Sequence, residues 1–216
     1  RGPIVVEQDL YEALENDAVA DYRMENVVWG EKSNLKSLDG KELEAKNSVV
    51  YQSLEDSKLH FFDADDRQVT ELAPGHAYAS GKFMEKNGLK EGDQIRITNN
   101  SVSFTVILDG KAKDALLGSD MMGNTRFLLS GQEIDNLLAD ETIRTYSQGQ
   151  ICYIDTVDEA GVSELSSVLS DASNIAFDGS RATIKMCYVM DMIVAFVILI
   201  LSICLILVAF VVLKFS

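Results

Sequence analysis

The stretch "PGHAYASGKFMEKNGLKEGDQIRIT", Pro74–Thr98, decides the fold class because its pattern changes twice within a short segment. It predicts a short strand at His76–Ser80, a helix at about Lys82–Asn87, and a second strand at Gln94–Thr98. Gly88 suits the left-handed stop of that helix, and a tight "KEGD" turn then leads into the second strand. Strand and helix in such close succession favour a mixed α+β fold.

Toward the C-terminus, the pattern continues as a mixture of strands and helices. An "NNS" turn leads into "VSFTVIL", which predicts an antiparallel pair with the preceding strand. After a long loop at Asp114–Arg126, "FLLS" predicts a strand, and Ser130 with Glu133 forms a capping box that opens a helix at Gly131–Ala139. A closing strand–helix–strand unit is predicted at Gln150–Thr156, Asp158–Leu169 and Asn174–Phe177.

Toward the N-terminus, a helix–strand unit opens the chain. Val5–Asp17 carries apolar residues on one helical face, and Ala20–Trp29 alternates as a half-buried strand does. A polar segment follows, with a turn at Asp39 and Gly40. "SVVYQSL" and "KLHFFD" are then typical of strands, and "DADDRQ" is typical of a polar loop that joins the second of them to "VTEL".

These elements predict an α+β domain over residues 1–178. The opening and closing units, at residues of about 1–45 and 145–178, would form one part, and a β-rich lobe of about 46–144 would lie between them. From Ser180 onward no Pro or Gly interrupts the chain. We therefore expect one long helix, with a stalk at 179–191 and a transmembrane helix at 192–213.

The segment "MIVAFVILILSICLILVAFVVL", Met192–Leu213, predicts a membrane span. It carries no charge, it has no polar stripe, and its length matches the roughly 20 residues that cross a bilayer core. Lys214 follows it, and basic residues favour the cytoplasmic side. We therefore expect the C-terminus to face the cytoplasm and the domain to lie outside the plasma membrane, carried across by a further segment before Arg1.

Composition narrows the classes of partner and chemistry. The formal charge of −15 argues against nucleic acid and anionic lipid surfaces as partners. His60 and His76 lie in strand-like segments, the three cysteines suggest neither a disulfide nor a metal site, and "DADD" lacks the glycine and distal glutamate of a calcium loop. No sequence motif for a nucleophile, a metal or a phosphate is present. We expect no enzyme activity, catalytic residue, metal or cofactor in this chain.

Two features are candidates for contact with partners. The loop "LLGSDMMGNTRF" offers four apolar side chains, and methionines adapt to irregular partners. The alternative is that these side chains pack into the β-rich lobe. In the apolar segment, small residues recur every seven positions, which lets another transmembrane helix approach closely, although such a register also arises by chance. The candidates are Leu116, Leu117, Met121 and Met122 in the loop, and Ala195, Ser202 and Ala209 in the span.

One segment carries a family resemblance. "APGHAYASGKFMEKNGLKEGDQIRI" resembles the extracellular-domain pattern of FtsX-like, MacB-type ABC transporter permeases, with its strand, short helix and "GLKxGD" turn around Gly88, Gly92 and Asp93. "FTVILDGKAKDALLGSDMMGNTRFLLSGQEIDNLL" is similar to the next part of such domains. The terminal "IVAFVILILSICLILVAFVVLKFS" resembles their second transmembrane helix. The likeness covers most of the chain from Pro74 onward, whereas earlier residues match only in outline.

The resemblance implies a bacterial permease subunit with spans before Arg1 and after Ser216. It also implies that the part at about 1–45 and 145–178 is porter-like and carries the β-rich lobe as an insertion. Its partners would be a separate cytoplasmic ATPase, other transmembrane helices of the same permease or of a dimer mate, the lipid bilayer, and an extracellular peptide, lipoprotein or cell-wall protein. ATP-driven motion would pass along the stalk helix to the outer domain, which would then export, release or activate its target. Two alternatives stay open, a membrane-anchored binding or sensor module and an anchored extracellular hydrolase.

Overall fold

The computed structural model describes residues 7–30, 33–45, 48–113, 124–171 and 179–215. The strands are β1 (Val19–Gly30), β2 (Asn34–Ser37), β3 (Val49–Ser53), β4 (Phe61–Phe62), β5 (Gln68–Val69), β6 (His76–Ser80), β7 (Gln94–Asn99), β8 (Val102–Ala112), β9 (Thr125–Leu129) and β10 (Gln148–Thr156). The helices are α1 (Glu7–Leu14), α2 (Gly81–Asn87), α3 (Gly131–Ala139), α4 (Glu141–Tyr146), α5 (Glu159–Asp171) and α6 (Gly179–Phe215).

Within these ranges, one mixed sheet of eight strands organises the fold. Its order is β10-β1-β3-β9-β6-β8-β7-β2, and β4 and β5 form a separate hairpin. The pairs β3–β9 and β6–β8 are parallel, and the other neighbours are antiparallel. This confirms the predicted α+β class and the antiparallel β7–β8 pair.

The main core lies on the sheet face that the short helices cover. Phe83 and Met84 come from α2, and Ile134 comes from α3. They pack against sheet residues such as Tyr51 and Phe127, whose rings stack with centroids 5.7 Å apart. Burial of these aromatic and aliphatic side chains is the main force that holds the helices to the sheet.

The other face of the sheet is covered by the β4–β5 hairpin and its flanking segments. Leu54, Phe61 and Val69 form a second apolar cluster with Leu128 of β9. The hairpin confirms that "DADDRQ" is a polar loop between two strands. Its strands are only two residues long, which is shorter than the run "KLHFFD" suggested.

The long strands β1 and β10 form the end of the sheet that leads toward the two chain termini. Their pairing runs from Val19 opposite Thr156 to Val28 opposite Gln148. At the Val19 end, α1 packs against α5, and the Asn16 amide donates to Glu164 Oε1 at 3.2 Å. The chain therefore enters β1 and leaves β10 at the same corner of the sheet.

Two elements were not predicted from the sequence. Strand β2 lies in the segment that the sequence analysis described as polar. It was missed because Leu35 is its only large apolar residue and because the strand lies at the end of the sheet, beside β7. Helix α4 follows α3 after a cap at Asp140, whose side chain accepts from the backbone of Thr142 and Ile143. Strand β9 also begins at Thr125, two residues before the predicted "FLLS".

Helix α6 contains the predicted stalk and the predicted span in one continuous helix of 37 residues. The predicted strand at Asn174–Phe177 lies outside the described residues. The division into a porter-like part and a β-rich lobe stays a prediction. Strands of both parts share the one sheet, and β2, assigned to the porter-like part, lies at the opposite end from β1 and β10.

Candidate functional site

The turn that carries the family resemblance joins α2 to the sheet. Gly88 ends α2 with a left-handed φ of 67°, and the next residue's N–H donates to Met84 O at 2.8 Å. Gly92 has a φ of 87°, and its N–H donates to Leu108 O of β8 at 2.8 Å. The Asp93 carboxylate accepts from the Lys90 N–H at 2.8 Å. All three residues therefore shape the backbone, as the sequence predicted for Gly88.

The apolar segment forms a helix that could cross a membrane by its length and composition. The candidate span is Val189–Val208, and none of it is buried. Large Leu, Ile, Val and Phe side chains are exposed all around it, which in water would be strongly unfavourable. This is compatible with membrane anchoring.

The predicted stripe of small residues lies on this helix. Ala195 and Ser202 are exposed, and the Ala209 side chain lies outside the described part. The Ser202 hydroxyl donates to Ile198 O, one turn earlier, at 2.8 Å. Its hydrogen bond is therefore made within the helix, and packing against a second helix stays a prediction.

The predicted contact loop cannot be placed in the fold. Leu116, Leu117, Met121 and Met122 all lie outside the described residues. Their role in binding stays a prediction.

A buried polar cluster, which the sequence did not predict, lies on the hairpin-covered face of the sheet. It consists of Glu25 on β1, Gln52 on β3, Tyr153 on β10 and Ser57 in the segment after β3, and we call it the Glu25 cluster. Val27 pairs with Gln52, and Glu25 pairs with Ile151, so the alternation of strands brings Glu25, Gln52 and Tyr153 onto one face. Glu25 is 1% exposed and Gln52 is 0% exposed.

The hydrogen bonds of the Glu25 cluster converge on one carboxylate oxygen. Glu25 Oε2 accepts from the Tyr153 hydroxyl at 2.5 Å and from Gln52 Nε2 at 3.0 Å. The Ser57 and Tyr153 hydroxyls are also within hydrogen-bond distance of each other, at 3.1 Å. The cluster therefore ties three strands and the segment that leads to the hairpin.

Burial sets the electrostatics of this cluster. The pKa of Glu25 is raised, because burial removes the hydration of the charged carboxylate. The hydrogen bonds from Tyr153, Gln52 and Ser57 and the attraction of Arg126 lower this pKa, but their combined effect is smaller. Burial, followed by the hydrogen bond to Glu25, also raises the pKa of Tyr153. The phenol therefore acts as a hydrogen-bond donor to the carboxyl.

Both histidines that the sequence analysis set aside have polar partners. His76 Nδ1 lies 2.6 Å from Asp109 Oδ1, with both side chains 31% exposed. His60 Nδ1 lies 2.9 Å from Gln68 Nε2 across the β4–β5 hairpin. The first pair has the geometry of a carboxylate that orients an imidazole.

Metal and disulfide chemistry find no support in the part of the chain that the structure describes. No three His, Cys, Asp or Glu side chains come close enough there to hold a metal ion. Cys152 and Cys204 are free thiols, and burial raises the pKa of Cys152, which makes it a weaker nucleophile.

Comparison with models of known protein families finds no match, and no curated protein matches the chain. Function must therefore be argued from the fold, the apolar helix and the residues described above.

Proposed function

We propose that this chain belongs to the permease subunit of an FtsX-like ABC transporter, as the extracellular domain and the helix that joins it to the membrane. The observation that carries the proposal is the continuity of α6, which includes residues ahead of the apolar span as well as the span itself. The order of strand, short helix, turn and strand around Gly88 also fits the family pattern.

The length of α6 makes mechanical coupling plausible in physical terms. At 1.5 Å per residue the helix is about 55 Å long, whereas a bilayer core is about 30 Å thick. Its 37 residues therefore exceed the membrane span. The sequence has no Pro or Gly between Arg181 and Ser216 that would act as a hinge. A displacement of the span would then be transmitted along the axis of the helix.

In this proposal a separate cytoplasmic ATPase supplies the energy, and the chain itself performs no covalent chemistry. Motion of the membrane helices reaches the outer domain through α6. The outer domain then exports, releases or activates an extracellular peptide, lipoprotein or cell-wall protein.

The proposal is tested by placing a helix breaker in α6 of the full-length protein, studied in membranes with its native partners. Met186→Pro removes one backbone hydrogen bond and kinks the helix, whereas Met186→Ala keeps it straight. We expect an ATPase subunit to copurify with all three proteins. ATP should change the hydrogen-exchange pattern of residues 7–171 in the wild type and in Met186→Ala, but not in Met186→Pro, which should still hydrolyse ATP.

Two outcomes would contradict the proposal. If no ATPase copurifies with the wild-type protein, the membrane-anchored binding or sensor module becomes the better reading. If an ATPase copurifies and the ATP-dependent change survives in a folded and inserted Met186→Pro variant, α6 does not transmit the motion.

A further inference from the structure

The two carboxyl oxygens of Glu25 differ in their hydrogen bonds. The Tyr153 hydroxyl and the Gln52 amide both donate to Oε2 of its carboxyl group. Glu25 Oε1 is buried and has no hydrogen-bond partner in the described structure. Buried polar atoms are rarely left without a partner, because their lost hydration is not replaced.

The side-chain amide of Gln52, next to Glu25, also has a buried oxygen that lacks a hydrogen bond in the described part of the chain. Gln52 Nε2 donates to Glu25, but Gln52 Oε1 is also buried and without a partner among the described atoms. An ionised carboxylate and an amide oxygen are both acceptors only, so neither can satisfy the other. A neutral carboxylic acid has one O–H donor, and this one proton would supply what both oxygens lack.

We propose that Glu25 holds a proton on Oε1 and donates it to Gln52 Oε1, so that the two side chains form a cyclic acid–amide pair that joins β1 to β3 and opens when the proton leaves. In this pair the Gln52 N–H donates to Glu25 Oε2, and the Glu25 O–H donates back. Tyr153 continues to donate to Oε2. The inference stands on the Glu25 cluster alone and does not depend on the proposed transporter function.

The charged and titratable groups around Glu25 act in both directions. From β9, Arg126 favours the ionised carboxylate, and from β10 the Tyr153 hydroxyl also favours it. Next along β10, Asp155 is paired with Lys58 from the segment after β3, so these charges largely offset each other. Arg23 precedes Glu25 on the same face of β1 but is exposed, so water screens its charge. Loss of hydration is the largest effect on Glu25, and it favours the proton.

The pair makes the stability of the domain depend on pH in a defined direction. The pKa of Glu25 is raised in the folded protein, so the folded state binds the proton more tightly than the unfolded state does. The stabilising contribution is complete below the unfolded pKa and is lost as pH rises through the folded pKa. Ionisation leaves a buried charge and breaks the O–H bond to Gln52.

The experiment compares the full chain in detergent micelles with two variants, by chemical denaturation from acidic to alkaline pH. Glu25→Gln replaces the O–H donor by an N–H donor of the same shape and cannot ionise. Glu71→Gln is the matched control, because Glu71 is exposed and undergoes the same change of charge. We expect the wild type and Glu71→Gln to lose stability relative to Glu25→Gln as pH rises, with the curves converging at acidic pH.

Carbon-13 NMR of the glutamate carboxyl groups gives a direct measurement on the unmodified protein, with the Glu25 signal identified by its loss in Glu25→Gln. We expect the Glu25 signal to titrate at a higher pH in the folded protein than in the denatured protein. The proposal is overturned if Glu25 titrates at the same or a lower pH in the folded protein than in the denatured one, or if Glu25→Gln is less stable than the wild type at neutral pH.

Discussion

At the scale of single residues, Gly88 combines open space with a backbone conformation that only glycine adopts easily. A Cβ atom added there would meet nothing within 4 Å, yet its φ is +67°. Any effect of a side chain at this position would therefore come from the backbone rather than from packing. Because the turn between α2 and β7 begins at this residue, its backbone also sets how α2 leads into β7.

We predict that Gly88→Ala lowers the free energy of unfolding by about 1–2 kcal/mol, the usual cost of a left-handed conformation for a residue with a Cβ atom. Gly88→Asn should lose less, because asparagine tolerates this conformation better than alanine does. Denaturant unfolding of the three proteins measures the difference. Equal stability of Gly88→Ala and the wild type would mean that the turn does not need the left-handed residue.

At the scale of secondary-structure elements, the β1–β10 pair depends on a close approach of the only tryptophan to a glycine backbone. A Cβ atom added at Gly149 would overlap Nε1 and Cδ1 of the Trp29 indole. The ring would have to move, and with it the packing at this end of the sheet. Trp29 is the single tryptophan of the chain, so its fluorescence reports on the surroundings of this one indole.

We predict that Gly149→Ala destabilises the protein by about 1–3 kcal/mol, the usual cost of overpacking, and shifts the tryptophan emission of the folded state. Gly81→Ala is the control, because the nearest atom to an added Cβ there is 3.8 Å away and its φ is not in the left-handed range. That variant should keep both the stability and the emission of the wild type. An unchanged spectrum for Gly149→Ala would show that the indole does not pack against Gly149 in solution.

Local patterns were enough to predict many of these elements. The left-handed stop at Gly88 and the capping interaction, in which Ser130 Oγ accepts from the Glu133 N–H, were confirmed because each depends on residues close in sequence. Strand β2 was missed because its position depends on β7, more than fifty residues away in sequence. Its own four residues carry too weak an apolar pattern to identify a strand.

The Glu25 cluster was missed for the same reason. Glu25, Gln52 and Tyr153 come from three separate strands, and only the pairing register brings them together. The one local signal was that Glu25 shares a strand face with Val27, which places a carboxyl group toward the buried side. Without knowledge of the neighbouring strands, that carboxyl group has no visible partner.

At the scale of the whole molecule, the apolar span is long enough for its insertion to tolerate one charge but not several. Leu, Ile, Val and Phe each contribute roughly −0.3 to −0.6 kcal/mol at the centre of a membrane helix, so the whole span gains about −5 kcal/mol. One arginine at the centre costs roughly 3 kcal/mol on the same scale. A single substitution should therefore leave insertion favourable.

We predict that Ile198→Arg still inserts, whereas the triple variant Ile198→Arg, Leu201→Arg, Leu205→Arg does not, because its cost of about 9 kcal/mol exceeds the gain. Resistance of the segment Arg1–Ser216, expressed by itself, to extraction by alkaline carbonate measures insertion of this helix. The triple change to alanine at the same positions is the control, and it should remain inserted. Membrane retention of the triple arginine variant would show that this helix is not held by lipid.

The common corner at which the chain enters β1 and leaves β10 determines how the domain responds to tension. Because Val19 lies opposite Thr156, two forces that draw α1 and α5 apart act on the same end of the β1–β10 pair. Such forces pull the two strands apart from one end, so the hydrogen bonds between them break one after another. In a shear geometry, by contrast, all of these hydrogen bonds would share the load. The contact between α1 and α5, with its hydrogen bond from Asn16 to Glu164, has to break before the force reaches the β1–β10 pair. While this helix contact is intact, a pull on α1 and α5 together moves the sheet as one body. Once the contact is broken, the first β1–β10 hydrogen bonds to break are those nearest Val19.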